Sequence, residues 1–142
     1  MIVPDVNVLV YAARDDAVHH AAYREWLLAA FAGQEAVGLS ELVLSGVVRV
    51  LTHPRIFNPP MPTSEALAYV SALRQQPRAV SLRPGSRHWE LFSDLCGAGS
   101  ARGNLVPDAY HAALILETGG ELITTDRDFA RFPGLRWRHP LG

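Results

Sequence analysis

The chain has 142 residues, 49% of them apolar, with 13 basic against 14 acidic side chains for a formal net charge of −1. That size and apolar content suit one domain over residues 1–142 and exclude a disordered or low-complexity chain. Every basic residue is arginine, which excludes Schiff-base lysine chemistry and a lysine-bearing phosphate loop, and the lone Cys96 excludes an internal disulfide and a cysteine-rich zinc site.

A single cysteine fits a reducing compartment. Met1 to Asp5 has no basic region followed by an apolar stretch, so no secretory signal is expected. No apolar run reaches the roughly 20 residues of a membrane helix. The expectation is a soluble, cytoplasmic protein with no membrane partner. The near-neutral charge counts against a nucleic-acid partner, but it does not describe distribution. If several carboxylates are drawn into one site, the remaining surface is more basic than the total.

In chain order, Ile2 and Val3 predict a short strand, which Pro4 should end because it has no N–H for the ladder. Val6 to Ala13 is apolar and can open a helix. His19 to Ala32 reads as a helix, with Ala22, Trp26, Leu27 and Ala30 on one face and Gly33 as its stop. Ala36 to Leu39 is a buried-strand candidate. Ser40 is a good N-cap, with Glu41 in the first turn and Leu44, Val47, Val48 and Leu51 on one face up to His53-Pro54. Thr63 is expected to cap a helix to about Gln76, which Pro77 breaks.

Ala79 to Leu82 reads as extended and Ser86 to Cys96 as helical, closed by Gly97 and Gly99. Pro107-Asp108 is expected to open a helix through Glu117, stopped by Gly119-Gly120. Glu121 to Thr125 and Leu135 to Arg138 complete the strands. Helices separate most of the strands and no hairpin signal appears, so the fold class is α/β: a short parallel sheet with helices on both faces. Ligands of such sheets bind at the carboxyl ends of the strands.

The acids fall at those ends. Asp5 follows the first strand, and Asp126 and Asp128 follow the strand that begins at Glu121. Asp108 and Glu41 stand on the first turns of helices. Carboxylates gathered in a small space repel one another unless a cation neutralises them. Oxygen-only donors select a hard cation, Mg²⁺ or Mn²⁺. Such an ion can lower the pKa of a water and stabilise charge on a phosphoryl oxygen, which is what phosphodiester hydrolysis needs.

Five segments in order carry a resemblance: Asp5-Val6-Asn7-Val8-Leu9-Val10-Tyr11, Ser40-Glu41-Leu42, Thr52-His53-Pro54-Arg55, Asn104 to Ala113, and Thr124-Thr125-Asp126-Arg127-Asp128-Phe129. The chain resembles, over essentially its whole length, the PIN-domain ribonucleases, and within them the VapC-type toxins of type II (VapBC) toxin–antitoxin pairs. The resemblance implies a PIN-like three-layer fold and a catalytic acidic quartet of Asp5, Glu41, Asp108 and Asp126. It makes these four, with Asp128 as an auxiliary acid, the metal ligands, and Asn7, Thr124 and Asn104 supporting residues. It further implies Mg²⁺, with Mn²⁺ as a substitute, and in-line attack of a metal-activated water on RNA, tRNA or rRNA, leaving a 5′-phosphate and a 3′-hydroxyl. A cognate VapB-type antitoxin and a homodimer are the implied protein partners. Candidate backbone contacts are Arg14, Arg49, Arg55, Arg102 and Arg127. Val6 departs from the Thr or Ser that such chains often carry there.

Each residue also has a plainer reading: Asp5 as a turn residue, Asp108 as a helix-dipole partner, Asp126 and Asp128 as solvated loop acids. Their joint position favours the metal site. His111, one helical turn after Asp108, could be a ligand but is rather expected to pack beside the site or against core. Trp26, Trp89 and Trp137 read as core or subunit-contact residues. A receiver-type phosphoacceptor or a haloacid-dehalogenase-type phosphatase requires a lysine that this chain lacks. A non-toxin PIN nuclease in RNA processing and a catalytically inactive PIN interaction module remain open as alternatives.

Overall fold

A computed structural model describes all 142 residues. In chain order the elements are β1 (Ile2–Pro4), α1 (Val6–Ala13), α2 (His20–Ala32), β2 (Val37–Ser40), α3 (Glu41–Leu51), α4 (Thr63–Arg74), β3 (Ala79–Leu82), α5 (His88–Ala98), α6 (Leu105–Thr118), β4 (Glu121–Ile123), a 3₁₀ turn (Arg127–Arg131) and β5 (Trp137–Arg138). The strands form one sheet in the order β3-β2-β1-β4-β5, and every pairing is parallel. The chain winds outward from β1 through β2 to β3, then returns to lay β4 on the other side of β1. The winding therefore reverses between β1 and β4, and the ends of two parallel strands that part there leave a crevice.

The pleat sends alternate residues to opposite faces. Ile2, Val37, Leu39 and Ile123 join a core with α1, α2, α3 and α4, including Leu9, Leu27, Val47 and Leu73. Val3, Leu82 and Leu122 join a second core with α5 and α6, including Leu95, Leu114 and Ile115, which Phe129 and Phe132 complete. The helices thus lie on both faces, as expected.

The local signals act mostly as predicted, with corrections at several boundaries: α5 runs through Gly97 to Ala98, β4 stops at Ile123 and β5 is only Trp137–Arg138. Ser40 caps α3, its Oγ accepting the Val43 N–H at 3.2 Å. Thr63, by contrast, is the first residue of α4 and makes no cap; Pro62 holds the cap position without a side-chain bond. Helix α6 begins at Leu105, two residues before the expected Pro107. Pro107 is tolerated there because first-turn N–H groups have no intrahelical acceptor. Trp89 is 69% exposed, so it is not a core residue.

Candidate active site

Asp5 sits where β1 hands over to α1. Pro4 ends the strand, and the Asp5 N–H donates to the Ile123 carbonyl at 2.9 Å, tying it to the end of β4. Its carboxylate is buried and held by several donors. Oδ1 accepts the Val6 N–H at 2.8 Å, capping α1. Oδ2 accepts the Thr124 hydroxyl at 2.8 Å, with the Asn7 amide at 3.5 Å. Asn7 Nδ2 also reaches Thr124 Oγ1 at 3.4 Å, while its Oδ1 accepts the Thr125 N–H at 3.3 Å. Thr124 is fully buried, and its hydroxyl oxygen accepts the Asp126 N–H at 3.0 Å. One hydroxyl therefore fixes two acids, one on each side of the crevice. Asp126 in turn accepts the Asp128 N–H at 2.8 Å and starts the 3₁₀ turn.

Asp108 enters from the first turn of α6. A cavity of about 890 Å³ opens over the strand ends, lined among others by Asp5, Asn7, Asn104, Asp108, His111 and Asp126. Burial, and then the charges of Asp5, Asp126 and Asp128, push the Asp108 carboxyl up to about 6, against Arg131, which pulls it down. Three other acids thus act on it electrostatically, and Glu41 is not among them.

The structure therefore brings Asp5, Asp108 and Asp126 to one cavity, with Asp128 exposed nearby. Asn7 and Thr124 are placed as supports. Asn104 stands before α6 without a side-chain cap bond and lines the cavity. Glu41 is the first residue of α3, exposed and outside the lining; the wall there is Leu42, Val43, Ser45, Gly46, Arg49 and Val50. No three His, Cys, Asp or Glu side chains are close enough to hold an ion between them.

Of the five candidate arginines, Arg49 lines the cavity. Arg14 is engaged by Asp16 through two bonds of 2.9 and 2.6 Å, and its guanidinium lies 4.3 Å from the Phe57 ring centroid. Arg55, Arg102 and Arg127 are exposed. Two residues were not assigned a site role from the sequence. Arg131 is the cation that acts on Asp108; it is bonded to the Gly99 and Asp128 carbonyls, and no motif marks it. His111, which its spacing from Asp108 placed beside the site without a role there, is buried with Nε2 3.9 Å from Asp5 Oδ1.

The family model described as a PIN domain matches residues 2–135. The chain belongs to the PIN-domain family. This PIN domain is 46% identical to ribonuclease VapC43 of Mycobacterium tuberculosis over 141 residues, covering 99% of this chain and 96% of that protein. Among solved structures, VapBC2 from Rickettsia felis, bound to a DNA fragment from its promoter, superposes with a TM-score of 0.72 at 16% identity, covering 98% of both chains. VapC20 of Mycobacterium tuberculosis, described as a toxin that cleaves the sarcin–ricin loop, gives 0.69 at 16% identity, covering 96% of this chain and 99% of that one. At such identities these two likenesses bear on the fold: a parallel sheet between helices, as found here.

Proposed function

We propose that this chain is a divalent-metal-dependent endoribonuclease and the toxin of a VapBC-type pair. The observation that carries the reading is the cavity at the β1–β4 crevice. There a chain closely similar to a ribonuclease sets Asp5, Asp108 and Asp126, where burial first, and then the charges of Asp5, Asp126 and Asp128, raise the proton affinity of Asp108. Oxygen donors that repel one another are the donor set of a hard cation, so the chemistry of these carboxylates suits Mg²⁺, with Mn²⁺ as a substitute; standing wider apart than ligand distance, they would draw together on the ion. Asp5, Asp108 and Asp126 would hold the ion, with Asp128 and Glu41 as auxiliary acids. When bound, the ion supplies charge neutralisation at a phosphoryl oxygen and a more acidic water.

The chain's own residues supply position. Asp5 is fixed by the Val6 N–H and the Thr124 hydroxyl, so it presents its charge at the crevice without reorganisation. Thr124 ties the Asp5 carboxylate to the Asp126 backbone, and Asn7 ties it to the Thr125 backbone. Arg49, on the α3 wall, offers a fork of N–H donors to a phosphate. Val6, Leu42 and Val50 add an apolar wall to the groove.

The substrate is RNA, with tRNA or rRNA as the target class. The protein partners in this reading are a VapB-type antitoxin and a second copy of the chain. An apolar groove between α2 and α4, lined by Leu27, Leu28, Phe31 and Leu73, is available to one of them. The test is incubation of the purified chain with total RNA, with Mg²⁺ or with EDTA, beside Asp5→Asn and Asp108→Asn. Cleavage that needs the metal and is lost in both variants is the expected result. Cleavage that persists in EDTA or in both variants would overturn the metal-site reading.

A further inference from the structure

His111 lies on α6, one turn beyond Asp108, with 3% of its surface exposed. Its ring packs edge-on against Phe129, with centroids 6.1 Å apart. Both ring nitrogens are buried and neither has a hydrogen-bond partner. A buried donor left unpaired carries a desolvation cost, and an apolar residue of similar size would fill the place without it. The acceptor that faces the ring is Asp5 Oδ1, 3.9 Å from Nε2.

Burial holds the ring below the ordinary histidine value, against Asp5, which pulls it up. An imidazole carries at least one N–H, and the carboxylate facing Nε2 favours that position for it. At 3.9 Å the contact is longer than a hydrogen bond; it is a buried ring facing a largely buried carboxylate, where a lowered dielectric strengthens the attraction. Val6 and Thr124 hold Asp5 from the β1 and β4 sides, and His111 faces it from α6, the helix that carries Asp108.

We propose that His111 is a positioning residue that holds the Asp5 carboxylate from the α6 side and so sets the divalent-cation affinity of the site. The inference rests on the metal-site reading above. Partners of this kind behind a ligating carboxylate typically contribute 10–100-fold in metal affinity.

The test compares Mn²⁺ binding, by calorimetry and by the electron paramagnetic resonance signal of free Mn²⁺, in the wild type, His111→Leu and His111→Gln. Thermal midpoints are recorded without metal. His111→Leu is expected to bind Mn²⁺ about 10–100-fold more weakly while melting no lower than the wild type, because it removes two unpaired buried nitrogens. His111→Gln, which can place an amide N–H near Nε2, is expected to recover part of the affinity. A Leu variant with wild-type affinity, or a Gln variant no tighter than Leu at an equal melting midpoint, would overturn the proposal. Absence of Mn²⁺ binding in the wild type itself would remove the metal-site reading and this inference with it.

Discussion

Thr124 shows how much one hydroxyl does at this site. It donates to Asp5 Oδ2 and accepts from the Asp126 backbone, so two acids from different strands share one buried oxygen. Thr124→Val keeps the shape and removes both bonds. The expected cost is about 1–3 kcal/mol of stability and about 10–100-fold in metal affinity, read by thermal melts and Mn²⁺ titration. Unchanged affinity would mean that the hydroxyl serves the fold alone. The sequence made such residues visible as a pattern of acids at strand ends. It marked Thr124 and Asn7 only through resemblance, because their bonds reach across more than a hundred residues. Arg131 carried no signal, since its effect on Asp108 depends on where the 3₁₀ turn folds back.

At the scale of elements, the helix starts decide where the acids point. Ser40 closes β2 and caps α3, which fixes the wall of the groove. Ser40→Ala is expected to lose about 1 kcal/mol, a fall of about 3 °C in the melting midpoint for a chain of this size. A melt within error of the wild type would show that packing alone holds α3. Gly46 lets that wall approach α1, since a Cβ there would lie 3.0 Å from Val6 Cγ2. The elements were legible because their punctuation is local: Pro4, Gly33, Pro77 and Gly119 act within a few residues. Two of the departures share one cause. Thr63 and Pro107 both suit a helix start, but proline at the cap or inside the first turn costs nothing, so sequence chemistry does not fix the boundary. The position of Glu41 was legible as a helix start. Which way its side chain faces depends on how α3 packs, and it stands on the exposed side of the wall.

For the molecule as a whole, the near-neutral total charge conceals an uneven distribution, with acids concentrated at the reversal between β1 and β4. That concentration has a thermodynamic sign. Asp108 titrates near 6 in the fold, above its ordinary value of 3.8. Between those values the folded chain holds a proton that the unfolded chain has released. This contribution therefore favours the fold at low pH, declines as pH rises from about 4 to 6, and is absent above. Buried neutral His111 acts in the opposite direction, so the Asp108 effect is isolated by comparing the wild type with Asp108→Asn. The measurement that bears most directly on a shared cation site is the melting midpoint of these two proteins at pH 4.5 and 7.5, with and without millimolar Mg²⁺. Without metal, Asp108→Asn should gain on the wild type as pH rises. At pH 7.5, Mg²⁺ should raise the wild-type midpoint and leave the variant nearly unmoved. A wild type indifferent to Mg²⁺, or a variant that gains as much from it, would contradict a cation held among Asp5, Asp108 and Asp126.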